Sequence, residues 1–115
     1  MVTLEQVRAY AETLPRTEVA LVRDRVKFRI RQIVYLAFSR DETLMGFAFP
    51  REEREALVAS EPNKFQLPIP SELRWNWCVV RTGAIDEPEM RQIVFHAWKF
   101  CVPKRVAAAY AESLA

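Results

Sequence analysis

The chain has 115 residues, 50% of them hydrophobic and 28% charged, which is one domain's length with material for one core and excludes a disordered chain. It holds two glycines, Gly46 and Gly83, where an average chain would carry about eight. Neither G-x-x-x-x-G-K-[ST] nor G-x-G-x-x-G occurs, so sites that cradle phosphate on a glycine-rich loop are excluded. The net charge of +2 is small, but residues 16–31 carry an excess of four positive charges and residues 41–61 an equal negative excess, which polarises the molecule.

In chain order, Thr3-Leu4-Glu5-Gln6 has the spacing of a capping box, and Leu4, Val7, Ala11 and Leu14 share a helical face, predicting a helix that Pro15 ends. Val22, Val26, Phe28 and Ile30 then alternate with Arg23, Arg25, Lys27, Arg29 and Arg31, with Asp24 the one polar residue on the apolar side. This is the period of a half-buried strand. Residues 33–38 are β-branched and aromatic, 39–42 read as a turn and 43–49 as a further strand, so 33–49 is a hairpin by pattern. Pro50 opens a short helix to about residue 60, with Glu52 and Glu53 where the helix dipole favours negative charge. Pro62, Pro68 and Pro70 make 61–73 an irregular connection, and 75–82 is a strand candidate. Asp86-Glu87-Pro88-Glu89 caps the best helical stripe, Met90, Ile93, Val94, Ala97, Trp98 and Cys101. Pro103 breaks it before a last helix over 104–113. The expected fold is α+β: one two-layer domain over residues 1–115, an antiparallel sheet with helices on one face, ordered helix–strands–helix–strands–helix.

Among features that carry chemistry, the basic alternation stands first. On one strand Arg23, Arg25, Lys27, Arg29 and Arg31 would share a face about 27 Å long at ~3.4 Å per residue, the axial length of about eight base pairs. Such a row suits phosphates; it also suits a solvated face that discourages edge aggregation. Trp75 and Trp77, two apart beside Arg74 and Arg81, would share a strand face, and Trp75 is a candidate for stacking on an unpaired base; core packing is the alternative. His96 is the only histidine, with no spacing that makes it or Cys78 and Cys101 metal ligands, so no metal or other cofactor is expected. No motif marks a nucleophile or general acid, and no catalytic activity is expected. Phe95 and Val102 lie together off the main helical stripe, to be covered either by Val106, Tyr110 and Leu114 of the last helix or by another subunit. The start of the chain lacks a signal-peptide pattern and no apolar run nears the ~20 residues of a membrane span, so a cytoplasmic protein without a membrane contact is expected.

Trp77-Cys78-Val79-Val80-Arg81, Ala84-Ile85-Asp86, the stripe to Ala97-Trp98 and Val102-Pro103-Lys104-Arg105-Val106 together resemble the MmcQ/YjbR family of small bacterial proteins. Upstream, Leu14-Pro15, Phe28-Arg29-Ile30-Arg31 and the acidic helix from Pro50 to Leu57 extend the resemblance to about residues 4–110. It implies an α+β fold like that of type III secretion chaperones. Members are labelled DNA-binding through a proposed double-wing motif. The chain departs where the family has Gly-Lys between two strands: it has Gln32-Ile33. A tight turn with positive φ there would be strained without glycine, or would have to be longer or bulged.

The expected function is therefore non-catalytic binding of DNA, mainly by phosphate contacts, through residues 23–31, with Lys104 and Arg105 as second-rank contacts. The alternative is a protein-interaction or chaperone-like module, dimeric through Phe95 and Val102.

Overall fold

Strand-forming runs alternate with tight turns through the first half of the chain, which makes an antiparallel meander the shortest way to pair them. The computed structural model describes residues 1–114; the last residue of the expected domain, Ala115, lies outside the described residues. Helix α1 (Leu4–Ala11) leads into strands β1 (Thr17–Val22), β2 (Arg25–Ile30), β3 (Ile33–Phe38) and β4 (Leu44–Ala48). Helix α2 (Arg51–Ser60), the short strand β5 (Phe65–Gln66), a 3-10 turn at Pro70–Glu72 and strand β6 (Trp77–Arg81) follow, then α3 (Glu87–Cys101) and α4 (Lys104–Ser113). The six strands form one antiparallel sheet in the order β1-β2-β3-β4-β6-β5, so the fold is α+β.

Register assigns every strand residue to one of two faces. Phe28, Leu36, Phe38, Met45, Phe47, Cys78 and Val80 are all buried on the inner face. The stripe of α3 meets them with Met90, Val94, Ala97 and Trp98, and α1 adds Val7 and Ala11. The capping box at Thr3 is formed, and the Asp86 side chain caps α3 by accepting from the Glu89 N–H at 2.9 Å. Trp98 donates its indole N–H to the Pro15 carbonyl at 2.8 Å, tying the end of the first helical segment to α3.

The strand expected over 22–31 is corrected. Arg23 and Asp24 both have positive φ, 51° and 65°, and Val22 pairs with Arg25. They form a two-residue hairpin turn with the φ signs of type I′. Asp24 interrupts the apolar alternation because it is a turn residue, and aspartate tolerates this conformation better than most. A two-residue turn preserves the count of two, so the pattern runs on unbroken through the reversal while the inner and outer positions exchange. Val22 accordingly shares the outer face with Arg25 and is exposed.

At the next turn Ile30 pairs with Ile33. The positive φ falls on Arg31 (55°) and not on Gln32. The bulge lies further on, where Phe28 pairs with Leu36 but Arg29 with Val34. Tyr35 is left unpaired, so Tyr35 and Leu36 are both buried. Neither glycine has positive φ; Arg16, Arg23, Asp24, Arg31 and Glu42 take the left-handed positions instead.

Candidate nucleic-acid interface

The outer face of the sheet carries the basic residues of β2. Arg25, Lys27 and Arg29 project from it with half-buried stems, spanning about 14 Å at ~3.4 Å per residue. Arg23 and Arg31 are exposed in the turns at its two ends, so the single-strand row of five is replaced by three strand residues flanked by two turn residues. Arg25 donates from Nε to the Phe38 carbonyl at 3.0 Å, which fixes its stem across β3. The Nε of Arg29 is buried and has no hydrogen-bond partner among the described residues.

The ion pairs among the described residues engage Arg8, Arg51, Lys64 and Arg91. None involves Arg23, Arg25, Lys27, Arg29 or Arg31, although Glu18 stands across from Arg29 in the β1–β2 register. The positive field of this face is thus uncompensated by contact pairs.

Small residues on the two central strands turn the face into a trough. Ala37 lies between Lys27 and Gly46 in register, and Ala48 lies opposite Trp77. Cations border the trough on the β2 side and Trp77 on the β6 side. Trp77 leans over β4: a Cβ on Gly46 would stand 2.5 Å from its indole ring. Gly46 is a glycine for want of space.

Trp75 does not lie on the strand expected at 75–82. It precedes β6 in the segment that returns over the sheet after the 3-10 turn, and is 55% exposed. Arg74 covers its ring at 4.8 Å from the centroid. The two tryptophans nevertheless line one groove of about 440 Å³ together with Arg25, Lys27, Glu72 and Phe100.

Arg54 holds this arrangement in place. It is buried on the inner side of α2 and donates to the carbonyls of Leu73, Trp75 (2.9 Å) and Trp77 (3.1 Å). Arg51 adds its backbone N–H to Asn76 Oδ1 at 3.1 Å and its guanidinium to the Arg74 carbonyl at 2.7 Å. Sequence reasoning missed both arginines, which sit in the acidic stretch. The signal was present: Arg54, Leu57 and Val58 share helical spacing, an arginine on the apolar stripe.

Lys104 and Arg105 are exposed in the first turn of α4, away from the trough. Lys104 lines a second, apolar groove of about 930 Å³ between α3 and α4. The two grooves meet at Ala48 and Phe100. Phe95 packs on Trp98 and Tyr110, with ring centroids 5.8 and 6.3 Å away, and Val102 is buried. Helix α4 therefore covers much of this pair from within the chain, while Leu114 stays exposed. His96 is exposed against the edge of Phe95. Both thiols are free. Burial pushes Cys101 up to about 11 and also raises Cys78, so neither is primed as a nucleophile near neutral pH. No helix among the described residues is long and apolar enough to cross a membrane.

The architecture has a precedent in the Deinococcus radiodurans protein DR2400, which carries a DUF419 domain; the TM-score is 0.72 over 87% of this chain and 78% of that one. The fold is shared with a DUF419 domain. At 14% identity the likeness concerns the fold alone. No protein-family model matches the chain, and neither does any curated protein.

Proposed function

We propose that this domain is a non-catalytic, cytoplasmic nucleic-acid-binding protein of the MmcQ/YjbR kind, and that it engages DNA phosphates through Arg23, Arg25, Lys27, Arg29 and Arg31. The observation that carries the reading is the set of five cations on β2 and its turns, none ion-paired among the described residues. Two of them, Arg23 and Arg31, occupy left-handed positions that cost a side-chain-bearing residue on the order of 1–2 kcal/mol. Lys104 and Arg105 would add contacts only to a ligand that continues past Ala48 and Phe100. In this reading the double wing corresponds to the β1–β2 and β2–β3 turns, with Arg31 supplying charge where the family has lysine.

The test is fluorescence anisotropy with labelled single- and double-stranded DNA across a salt series. Binding should weaken steeply with salt, by about 0.9 in log K per log salt for each phosphate neutralised on duplex. Replacing Arg23→Gln, Lys27→Gln and Arg31→Gln together should lower that slope by about 2–3 with little loss of stability. No binding at low salt, or an unchanged slope in the triple variant, would refute the reading.

A second reading, a protein-interaction module that self-associates near Phe95 and Val102, is favoured by the apolar groove beside them, with Ala107, Ala108 and Ala111 along it. It requires a dimer by light scattering that Ala108→Glu dissociates; a strict monomer counts against it.

A further inference from the structure

The trough on the outer face has an aromatic side and a cationic side, and this polarity is what a single nucleotide presents in reverse. Trp77 rests over Gly46 of β4, two strands from β2 in the sheet order. Strand spacing of ~4.8 Å sets β2 about 10 Å from β4, and Arg25 reaches across β3 to the Phe38 carbonyl, so ring and cations lie within the base-to-phosphate reach of one nucleotide. The groove's volume of about 440 Å³ lies within the ~300–1,000 Å³ of small-molecule sites.

From this geometry we propose that the groove seats one unpaired base of a single-stranded nucleic acid beside Trp75 and Trp77, with an adjoining phosphate on Arg25 and Lys27. The proposal rests on the nucleic-acid reading above and narrows it to single strands. Four features converge on it. The platform is preorganised: Trp77 is confined by Gly46, and Arg54 fixes the carbonyls of both tryptophans, so little ordering cost remains at binding. Trp75 is held 55% exposed by that same clamp, an aromatic surface kept in solvent at a groove edge. Glu72, the one acid lining the groove among the described residues, offers a carboxylate that can accept from a base's amino group. Asn76 gives its oxygen to the Arg51 N–H, leaving its amide hydrogens for a base edge. A base held in a duplex has its faces stacked and its pairing edge occupied, so only an unpaired base can use all four.

The experiment uses the full chain at low salt with a labelled twelve-nucleotide oligo-dA, its duplex with oligo-dT, and free AMP as competitor. Wild-type protein should bind the single strand at least about tenfold more tightly than the duplex, and AMP should compete only weakly. Trp75→Ala, at an exposed site, should melt like wild type and lose about 5- to 150-fold in single-strand affinity, the ~1–3 kcal/mol of one base–aromatic stack. Its duplex affinity and its salt slope should be unchanged, since no charge is removed. If Trp75→Ala fails to fold, Trp75→Phe should retain most of the single-strand preference and Trp75→Leu should lose it. Equal affinity for the two DNA forms, AMP binding as tightly as the oligonucleotide, or unaltered single-strand affinity in a folded Trp75→Ala or Trp75→Leu overturns the proposal while leaving phosphate binding by β2 intact. Failure of the protein to bind either DNA form at low salt removes the parent reading as well.

Discussion

Gly46→Ala is the sharpest test of how the outer face is built. The added Cβ would stand 2.5 Å from Cζ2 and Nε1 of Trp77 and 2.6 Å from Cε2, against the ~3.5–4.0 Å of a normal carbon contact. The indole must therefore retreat by about 1 Å or leave its rotamer. Overpacking of this kind costs about 1–3 kcal/mol. Alanine also gains about 0.5–1 kcal/mol over glycine by restricting the unfolded chain. The expected net loss is about 1–2 kcal/mol, which for a domain of this size lowers Tm by roughly 4–8 °C. Chemical denaturation of Gly46→Ala in the wild-type and Trp77→Val backgrounds supplies a double-mutant cycle. In the Trp77→Val background the clash is gone, and Gly46→Ala should be neutral or slightly stabilising, a coupling of about 2 kcal/mol. Equal effects of Gly46→Ala in both backgrounds would refute the claim that the indole is what requires glycine here.

Arg54→Lys should destabilise by about 2–4 kcal/mol, because an ammonium cannot reproduce the planar fork that serves the Leu73, Trp75 and Trp77 carbonyls; hydrogen exchange should localise the opening to residues 67–77, and uniform protection would contradict the clamp. Asp24→Gly should stabilise by about 0.5–1 kcal/mol, since glycine adopts φ near 65° without the Cβ penalty; a lower Tm would show that the turn is not strained. Stability should fall as pH rises from about 9 to 12. Burial lifts Cys101 from the ordinary 9.0 to about 11 and Tyr35 from 10.0 to about 12, so over that interval the native state binds more protons than the unfolded one and ΔG of unfolding has a negative slope. Tyr35→Phe should flatten the upper part of the curve, and an alkaline melting profile indifferent to that change would be the contrary result.

Most of the architecture was legible locally. The helices came from capping residues and the 3.6 period, and the 33–49 hairpin from β-branched runs around a polar turn, because these signals lie within a few residues of each other. The strand β1 was not legible: Thr17-Glu18-Val19-Ala20-Leu21-Val22 alternates weakly, and it is an edge strand whose Leu21 stays 71% exposed. The Arg23-Asp24 reversal hid for a different reason, since a two-residue turn does not disturb a pattern with a period of two. The basic character of the candidate interface could be read directly, but not that Arg23 and Arg31 leave the strand.

Composition alone determined that there is material for one core, and the order of patterned residues determined the α+β class, the polarised charge and the lack of a glycine-built phosphate loop. Only the tertiary structure decided what the scarce glycines do. Neither serves a left-handed turn, and Gly46 instead makes room for an indole that comes from 31 positions further along the chain. The arginine of the acidic helix and the two tryptophans likewise meet only because α2 packs beside β6. Such contacts are set by which surfaces pack together, and sequence periodicity reports only which face of an element is apolar.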